Sequence, residues 1–316
     1  MQNLKYFFFG LLAISAITFT SCEEEEPTPP VEPKDIVETA MATDDLSILV
    51  DAVVQAGLVE TLQGDGPFTV FAPTNDAFQA LLDSNPDWNS LSDIDNATLT
   101  NVLTFHVIAA DVKSTDLTDS YVTTLAAGPN DEQMVLQIDV TGGVKFNGSA
   151  TPTTVDVETT NGTVHIIDEV MLPPSVVNLA LNNPNFSILV SALTRSDLTT
   201  DYVSILSGDG PFTVFAPTND AFIALLDSND DWNTLDDIPV ATLEAVLNYH
   251  VVSGANVQSK ELTDEQEVTA LGGTFTIDLT GGAKIKTTSN QSVNIVLTDV
   301  QGSNGVVHVI DAILLP

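Results

Sequence analysis

Gly64-Asp-Gly-Pro-Phe-Thr-Val-Phe-Ala-Pro-Thr-Asn-Asp-Ala-Phe78 stands a second time, letter for letter, at Gly208–Phe222. Fifteen residues unchanged across a gap of that size mean an internal duplication, and the flanking sequence confirms it. Leu81-Leu-Asp-Ser-Asn85 recurs at 225–229 and Trp88-Asn89 at Trp232-Asn233. Leu103-Thr-Phe-His106 corresponds to Leu247-Asn-Tyr-His250, and Asn161-Gly-Thr-Val-His-Ile-Ile-Asp168 to Asn304-Gly-Val-Val-His-Val-Ile-Asp311. The landmarks keep their order, so the chain carries one globular domain of roughly 140 residues twice, and not a short-period solenoid. Both repeats close on an apolar run and a proline, at Pro173 and Pro316. The boundary falls at Pro173-Pro174, giving domains at 35–173 and 174–316 with almost no linker and a fairly fixed mutual arrangement.

Within one repeat the pattern is mixed. Leu46, Leu49, Val50 and Val53 recur at helical spacing and predict an amphipathic opening helix. Gly64-Asp-Gly-Pro67 is a turn, and Phe68–Phe71 alternates as a strand. A helix follows Pro73, capped by Thr74 or Asn75, with Phe78, Leu81 and Leu82 on its apolar face. Another helix is predicted over Asn96–Phe105. Short strands are expected at 122–125, 134–140, 144–146 and 164–170, with Gly142-Gly143 as a hairpin turn. The sum is an α+β fold, helices first and an antiparallel sheet mainly in the second half.

The duplicated Phe-Thr-Val-Phe-Ala-Pro-Thr-Asn-Asp-Ala-Phe block, the Tyr249-His250 element and the closing Asn-Gly-x-Val-His-x-Ile-Asp block resemble, in that order, the fasciclin (FAS1) domain. The resemblance covers about residues 35–316. It implies a β-wedge of about seven strands with flanking helices in each domain. It also implies extracellular adhesion or matrix interaction without catalysis. The family's Tyr-His adhesion element would fall on Tyr249 and His250. The first repeat has Phe105-His106 there, one hydroxyl fewer.

Ahead of the repeats, Lys5 precedes an apolar run from Tyr6 to about Ile17, which ends at Ser21-Cys22. A positive start, a short hydrophobic stretch and small residues describe a secretory signal over 1–22. The run is short for a membrane span. Phe19-Thr-Ser-Cys22 resembles a relaxed lipobox of bacterial lipoproteins, without the usual Leu three places before the cysteine. It makes Cys22, the sole cysteine, a lipidation site. Glu23–Glu26 resembles the surface-export signal of such lipoproteins, and 23–34 reads as an acidic, proline-rich spacer. The expected location is therefore the outer membrane, lipid-anchored and facing outward. An ordinary signal peptide followed by a solvated charge run is the simpler alternative.

The chain holds 8 Lys and Arg against 44 Asp and Glu, a formal charge of −36. Such a surface repels phosphate, which excludes nucleic acid, and it repels anionic lipid except through the anchor. Divalent cations and cationic partners are favoured. The simplest role for the charge is solubility.

No catalytic constellation emerges. There is no nucleophile elbow or phosphate loop, and the cysteine is assigned to the anchor. Asp227-Ser-Asn-Asp-Asp231 imitates the start of a calcium loop, but Trp232 and Ile238 stand where Gly and Glu are needed. The four histidines, His106, His165, His250 and His308, lack metal-ligand spacing and are read as core residues. No cofactor or metal is expected. Trp88 and Trp232 either stack on sugars or pin loops, and Tyr249 either packs or contacts a ligand. With Phe105 and the two Tyr-His-element histidines these make the candidate binding residues. The partner expected is an extracellular protein or polysaccharide, with homophilic association as a further route. A carbohydrate-binding accessory lipoprotein of a glycan-uptake system is the second reading.

Overall fold

A computed structural model describes residues 33–316. Cys22, the signal segment and nearly all of the acidic spacer lie outside the described residues. Each repeat contributes five α-helices and seven strands.

In the first repeat, α1 (Ile36–Met41) starts at a capping box in which the Asp35 carboxylate accepts from Glu38 N. The helices α2 (Ser47–Gln55) and α3 (Val59–Leu62) follow. The duplicated block then forms β1 (Phe68–Pro73) and α4 (Asn75–Asp83). Thr74 is the N-cap, its hydroxyl accepting from Ala77 N at 3.2 Å. After α5 (Asn96–Phe105) come β2 (Val107–Ile108), β3 (Ser120–Ala127), β4 (Gln133–Asp139), β5 (Lys145–Phe146), β6 (Pro152–Thr159) and β7 (Gly162–Ile167). The second repeat retraces this order. Its helices are α6 (Val176–Leu181), α7 (Ser187–Leu193), α8 (Tyr202–Leu206), α9 (Asn219–Asp227) and α10 (Val240–Tyr249). Its strands are β8 (Phe212–Pro217), β9 (Val251–Ser253), β10 (Glu267–Ala270), β11 (Gly273–Asp278), β12 (Lys284–Thr287), β13 (Ser292–Gln301) and β14 (Gly305–Ile310).

The pairing corrects one expectation. The sheet is mixed: β1 runs parallel to β7 from Phe68↔Gly162 to Pro73↔Ile167, and β8 runs parallel to β14 in the same register. The two duplicated blocks of a domain, far apart in sequence, are thus neighbours at its centre. The remaining pairings are antiparallel. In the first repeat they leave a four-stranded sheet, β2-β1-β7-β6, and a three-stranded one, β3-β4-β5. In the second repeat all seven strands join, because β12 pairs with β13.

Buried on both faces, the central strands divide the core into two. On the helix side, Val70 and Ala72 meet Leu46, Phe78, Leu99 and Leu103. On the other side, Phe71 meets Phe105, Met134 and Phe146, with 4.5 Å between the Phe71 and Phe146 ring centroids. This two-faced burial is why Phe-Thr-Val-Phe-Ala reads as a nearly continuous apolar run.

The turn before β1 closes against the strand it pairs with. Gly66 and Gly210 have φ of +62° and +68°, and a Cβ there would stand 2.2 and 2.1 Å from the carbonyl oxygens of Asn161 and Asn304. Only glycine fits. The same two asparagines then clamp each domain. Asn161 Nδ2 donates to Leu62 O and Gly64 O at 2.8 and 2.9 Å, and its Oδ1 accepts from Ile36 N at 3.1 Å. Asn304 makes the matching bonds to Leu206 O, Gly208 O and Val176 N.

Candidate functional site

The Tyr-His element ends the long helix of each repeat, and the fold turns it inward. Phe105, His106, Tyr249 and His250 are all buried. The Tyr249 hydroxyl donates to Thr274 O at 2.6 Å, and its ring packs edge-on against Phe275. His250 Nδ1 lies 2.7 Å from Val246 O, and its Nε2 accepts from Leu314 N at 3.0 Å. His106 does the same with Val102 O and Met171 N. A ring nitrogen facing a carbonyl must carry the proton, so both imidazoles are neutral with Nδ1 protonated. Burial pushes both pKa values down to about 4, opposed by the hydrogen bond to the preceding helix turn. As residues for direct contact with a partner, these four are corrected by the structure. The two histidines tie α5 and α10 to the closing segment of each domain, Tyr249 ties α10 to β11, and all four side chains are buried.

The other histidine pair has the opposite tautomer. His165 Nε2 lies 2.9 Å from Val112 O, and its Nδ1 accepts from Asp156 N at 3.3 Å. His308 repeats this with Val257 O and Asp299 N, and burial pushes its pKa down. Asp156 and Asp299 occupy left-handed bulges (φ 58° and 61°) in β6 and β13. Their carboxylates accept from the backbone and hydroxyl of Ser114 and Ser259. Those hydrogen bonds hold the Asp156 carboxyl below its usual range.

Trp88 and Trp232 are half-buried and pack against the helix-side cores. They fasten the loops after α4 and α9. Among the described residues, no group of three or more His, Cys, Asp or Glu is placed to hold a metal ion. No helix among them is long and apolar enough to cross a membrane.

The most informative surface lies between the repeats, where sequence reading named no residue. The outer face of β3–β4 is seated on the second repeat. Val135 joins the second repeat's core, Tyr121 packs beside it, and Asn183 Nδ2 donates to the Tyr121 hydroxyl at 2.7 Å. Lys260 pairs with Glu132, and Asn182 Nδ2 donates to Asn147 O at 2.9 Å. The loop 128–132 lies over a buried amide cluster. Gln301 Oε1 accepts from Asn256 at 3.1 Å and Gln258 at 2.6 Å, and Gln301 Nε2 donates to Gly302 O and Gly305 O. In the first repeat the equivalent positions hold Asp111, Lys113 and Glu158, a charged trio with Lys113 3.8 Å from Asp111 and 3.4 Å from Glu158. Where a neighbour covers the surface the side chains are neutral amides. Where solvent covers it they are ions. The signal was available by comparing the repeats for their differences instead of their identities.

Two clefts flank this junction. One of about 590 Å³ runs between α4 and the Leu172-Pro173-Pro174 crossover. The other, about 700 Å³, is walled by β3–β4 on one side and Phe186, Leu297 and Val309 on the other.

The comparisons with known proteins agree with this geometry. The model of the fasciclin domain matches twice, at residues 44–173 and 184–316. Protein sll1483 of Synechocystis sp. is 40% identical over 139 residues, which cover 44% of this chain and 73% of that protein. Transforming growth factor-beta-induced protein ig-h3 of Sus scrofa is 30% identical over 258 residues, 81% of this chain but 35% of the relative, so the chain spans about a third of that protein. Among solved structures, a FAS1 domain pair from the insect cell adhesion molecule Fasciclin I aligns over 89% of this chain and 96% of its own, at 19% identity and a TM-score of 0.50. That likeness is one of fold, and it extends to the pair. Two matched domains that fill almost all of the described residues leave one conclusion: the chain belongs to the fasciclin domain family.

Proposed function

We propose that the chain is a surface adhesion or interaction protein, anchored through lipid on Cys22 and held off the membrane by the acidic, proline-rich segment after it. It would bind an extracellular protein or polysaccharide, or a neighbouring cell, without catalysis. The observation that carries the reading is the pair of fasciclin domains, an arrangement it shares with the insect cell adhesion molecule. The side chains with the most chemical potential, the four histidines, all have both ring nitrogens engaged inside the fold. What faces outward is a broad, strongly acidic surface, suited to weak multipoint contact and to cationic or hydroxyl-rich partners. The accessory role in glycan uptake rests on Trp88, Trp232 and Tyr249 as sugar platforms. Tyr249 is buried, and the two half-buried tryptophans are spent in part on packing against the cores, which weakens that motive.

Two experiments test the proposal. Deleting the gene should reduce attachment and cell aggregation. Unchanged attachment, with the protein abundant on wild-type cells, would reject an adhesive role. Protease shaving of intact cells should release peptides from 35–316 and leave an acylated Cys22 lipopeptide. An unmodified amino terminus would reject the anchor.

A further inference from the structure

We propose that the 700 Å³ cleft between the repeats is a binding site for a neutral saccharide. The proposal rests on the reading of the chain as an extracellular binding protein and adds to it the site and the ligand class.

Gln137 on β4 is the key residue. Its neighbours Met134, Leu136 and Ile138 point into the first repeat's core. Strand alternation therefore turns Val135 and Gln137 toward the second repeat. Val135 is absorbed there, in contact with the second core. Gln137 is not. It is only 5% exposed and lines the cleft, yet its side-chain oxygen is buried without a hydrogen-bond partner among the described residues. A buried amide left unsatisfied costs free energy, and native folds keep few of them. At this address the second repeat has Thr276, which lies on no such junction.

The rest of the lining specifies the partner. Tyr121, Phe186 and Leu297 give an aromatic and aliphatic wall. The Tyr121 hydroxyl accepts from Asn183, and its own proton remains to be donated. Asp119, Asp139 and Asn185 stand around the opening. Among the described residues no Lys or Arg lines the cleft, so phosphate, sulfate and uronate ligands meet carboxylates and nothing of opposite charge. An apolar ligand would leave the Gln137 amide unsatisfied. A neutral sugar meets every requirement at once. Its hydroxyls hydrogen-bond the Asp139 carboxylate and the Gln137 amide, and a C–H face lies on the half-buried Tyr121 ring.

The test is calorimetric titration of the purified full-length protein with neutral oligosaccharides of glucose, galactose, mannose and N-acetylglucosamine. A uronate oligomer and spermidine serve as comparison probes. At least one neutral oligosaccharide should bind. Gln137→Leu, which keeps size and removes the amide, should weaken it by at least about tenfold, the scale of one or two lost hydrogen bonds. Asp139→Asn lies in a partly exposed position, and should weaken binding several-fold whether or not the Gln137 variant folds. Trp88→Ala and Trp232→Ala should leave the affinity within about twofold, since neither residue lines the cleft. The proposal is overturned if no neutral oligosaccharide binds, if only spermidine or the uronate binds, or if affinity is indifferent to Gln137→Leu and Asp139→Asn. Binding is read on purified protein and adhesion on cells, so the saccharide site can fail while the adhesive role stands, and the reverse.

Discussion

Glu158 and Gln301 occupy the same place in the two repeats, beside the closing strand, one an exposed carboxylate 3.4 Å from Lys113 and the other a buried amide 1% exposed. Gln301 satisfies four partners, two through each end of its amide. Gln301→Glu would turn a carboxylate toward the carbonyls of Gly302 and Gly305 with no donor to offer them. It should cost about 3 kcal/mol, with part of the loss recovered at low pH. The mirror change, Glu158→Gln, should stay within about 0.5 kcal/mol because that ion pair is solvated. Urea denaturation of both variants checks the contrast.

Acid should destabilise the protein through His106 and His250. Both have folded pKa values near 4 and ordinary values near 6.5 when unfolded. The unfolded chain therefore binds protons first. Stability is fully present above about pH 6.5, declines as the pH falls, and by pH 4 has lost roughly 3 kcal/mol per histidine. Denaturation midpoints measured between pH 7.5 and 4 should fall in that window. A flat profile would contradict the neutral, doubly bonded imidazoles.

Asn161→Ala removes four hydrogen bonds and Asn304→Ala three, and each leaves buried backbone groups without partners. Each should cost about 2–4 kcal/mol. Asn161→Asp and Asn304→Asp should be costly too, because a carboxylate cannot donate to the carbonyls that each amide now holds. Thermal melts of the four single variants at the two positions give the comparison.

Tyr249→Phe should cost about 1 kcal/mol, the value of one neutral hydrogen bond to Thr274 O. It should leave attachment of cells unchanged. A large attachment defect with unchanged melting temperature would return the Tyr-His element to the surface and contradict its burial.

Much of the fold was legible in the sequence because the signals were local. Thr74 reads as a cap from its own neighbours, and α5 follows from the spacing of Leu99, Val102 and Leu103. What was missed depends on partners far away. Nothing near Phe68 says that it will pair with Gly162 and run parallel to it. Strand β6 escaped because it opens on Pro152 and because Asp156, in a left-handed bulge, interrupts its alternation. The helix α1 escaped because six residues are too few to show a period. Tyr249 and His250 were placed among binding residues by resemblance, yet Val246 O and Leu314 N, which hold the histidine inside, are invisible as partners in the sequence. The cleft was beyond reach for the same reason, since Gln137 is an ordinary strand residue until the second repeat covers it.

The seat of Tyr121 and Val135 on the second repeat also gives the pair a direction. On the second repeat's own β10–β11 sheet the matching positions are Glu267 and Thr274, and the loop corresponding to 128–132 is shortened to Leu271-Gly272. A third unit arriving there would meet a carboxylate and a hydroxyl in place of a ring and an isopropyl group. The second repeat's sheet carries none of the side chains that seat the first, so the contact runs one way: it joins these two repeats in this order and is not offered again on the far side.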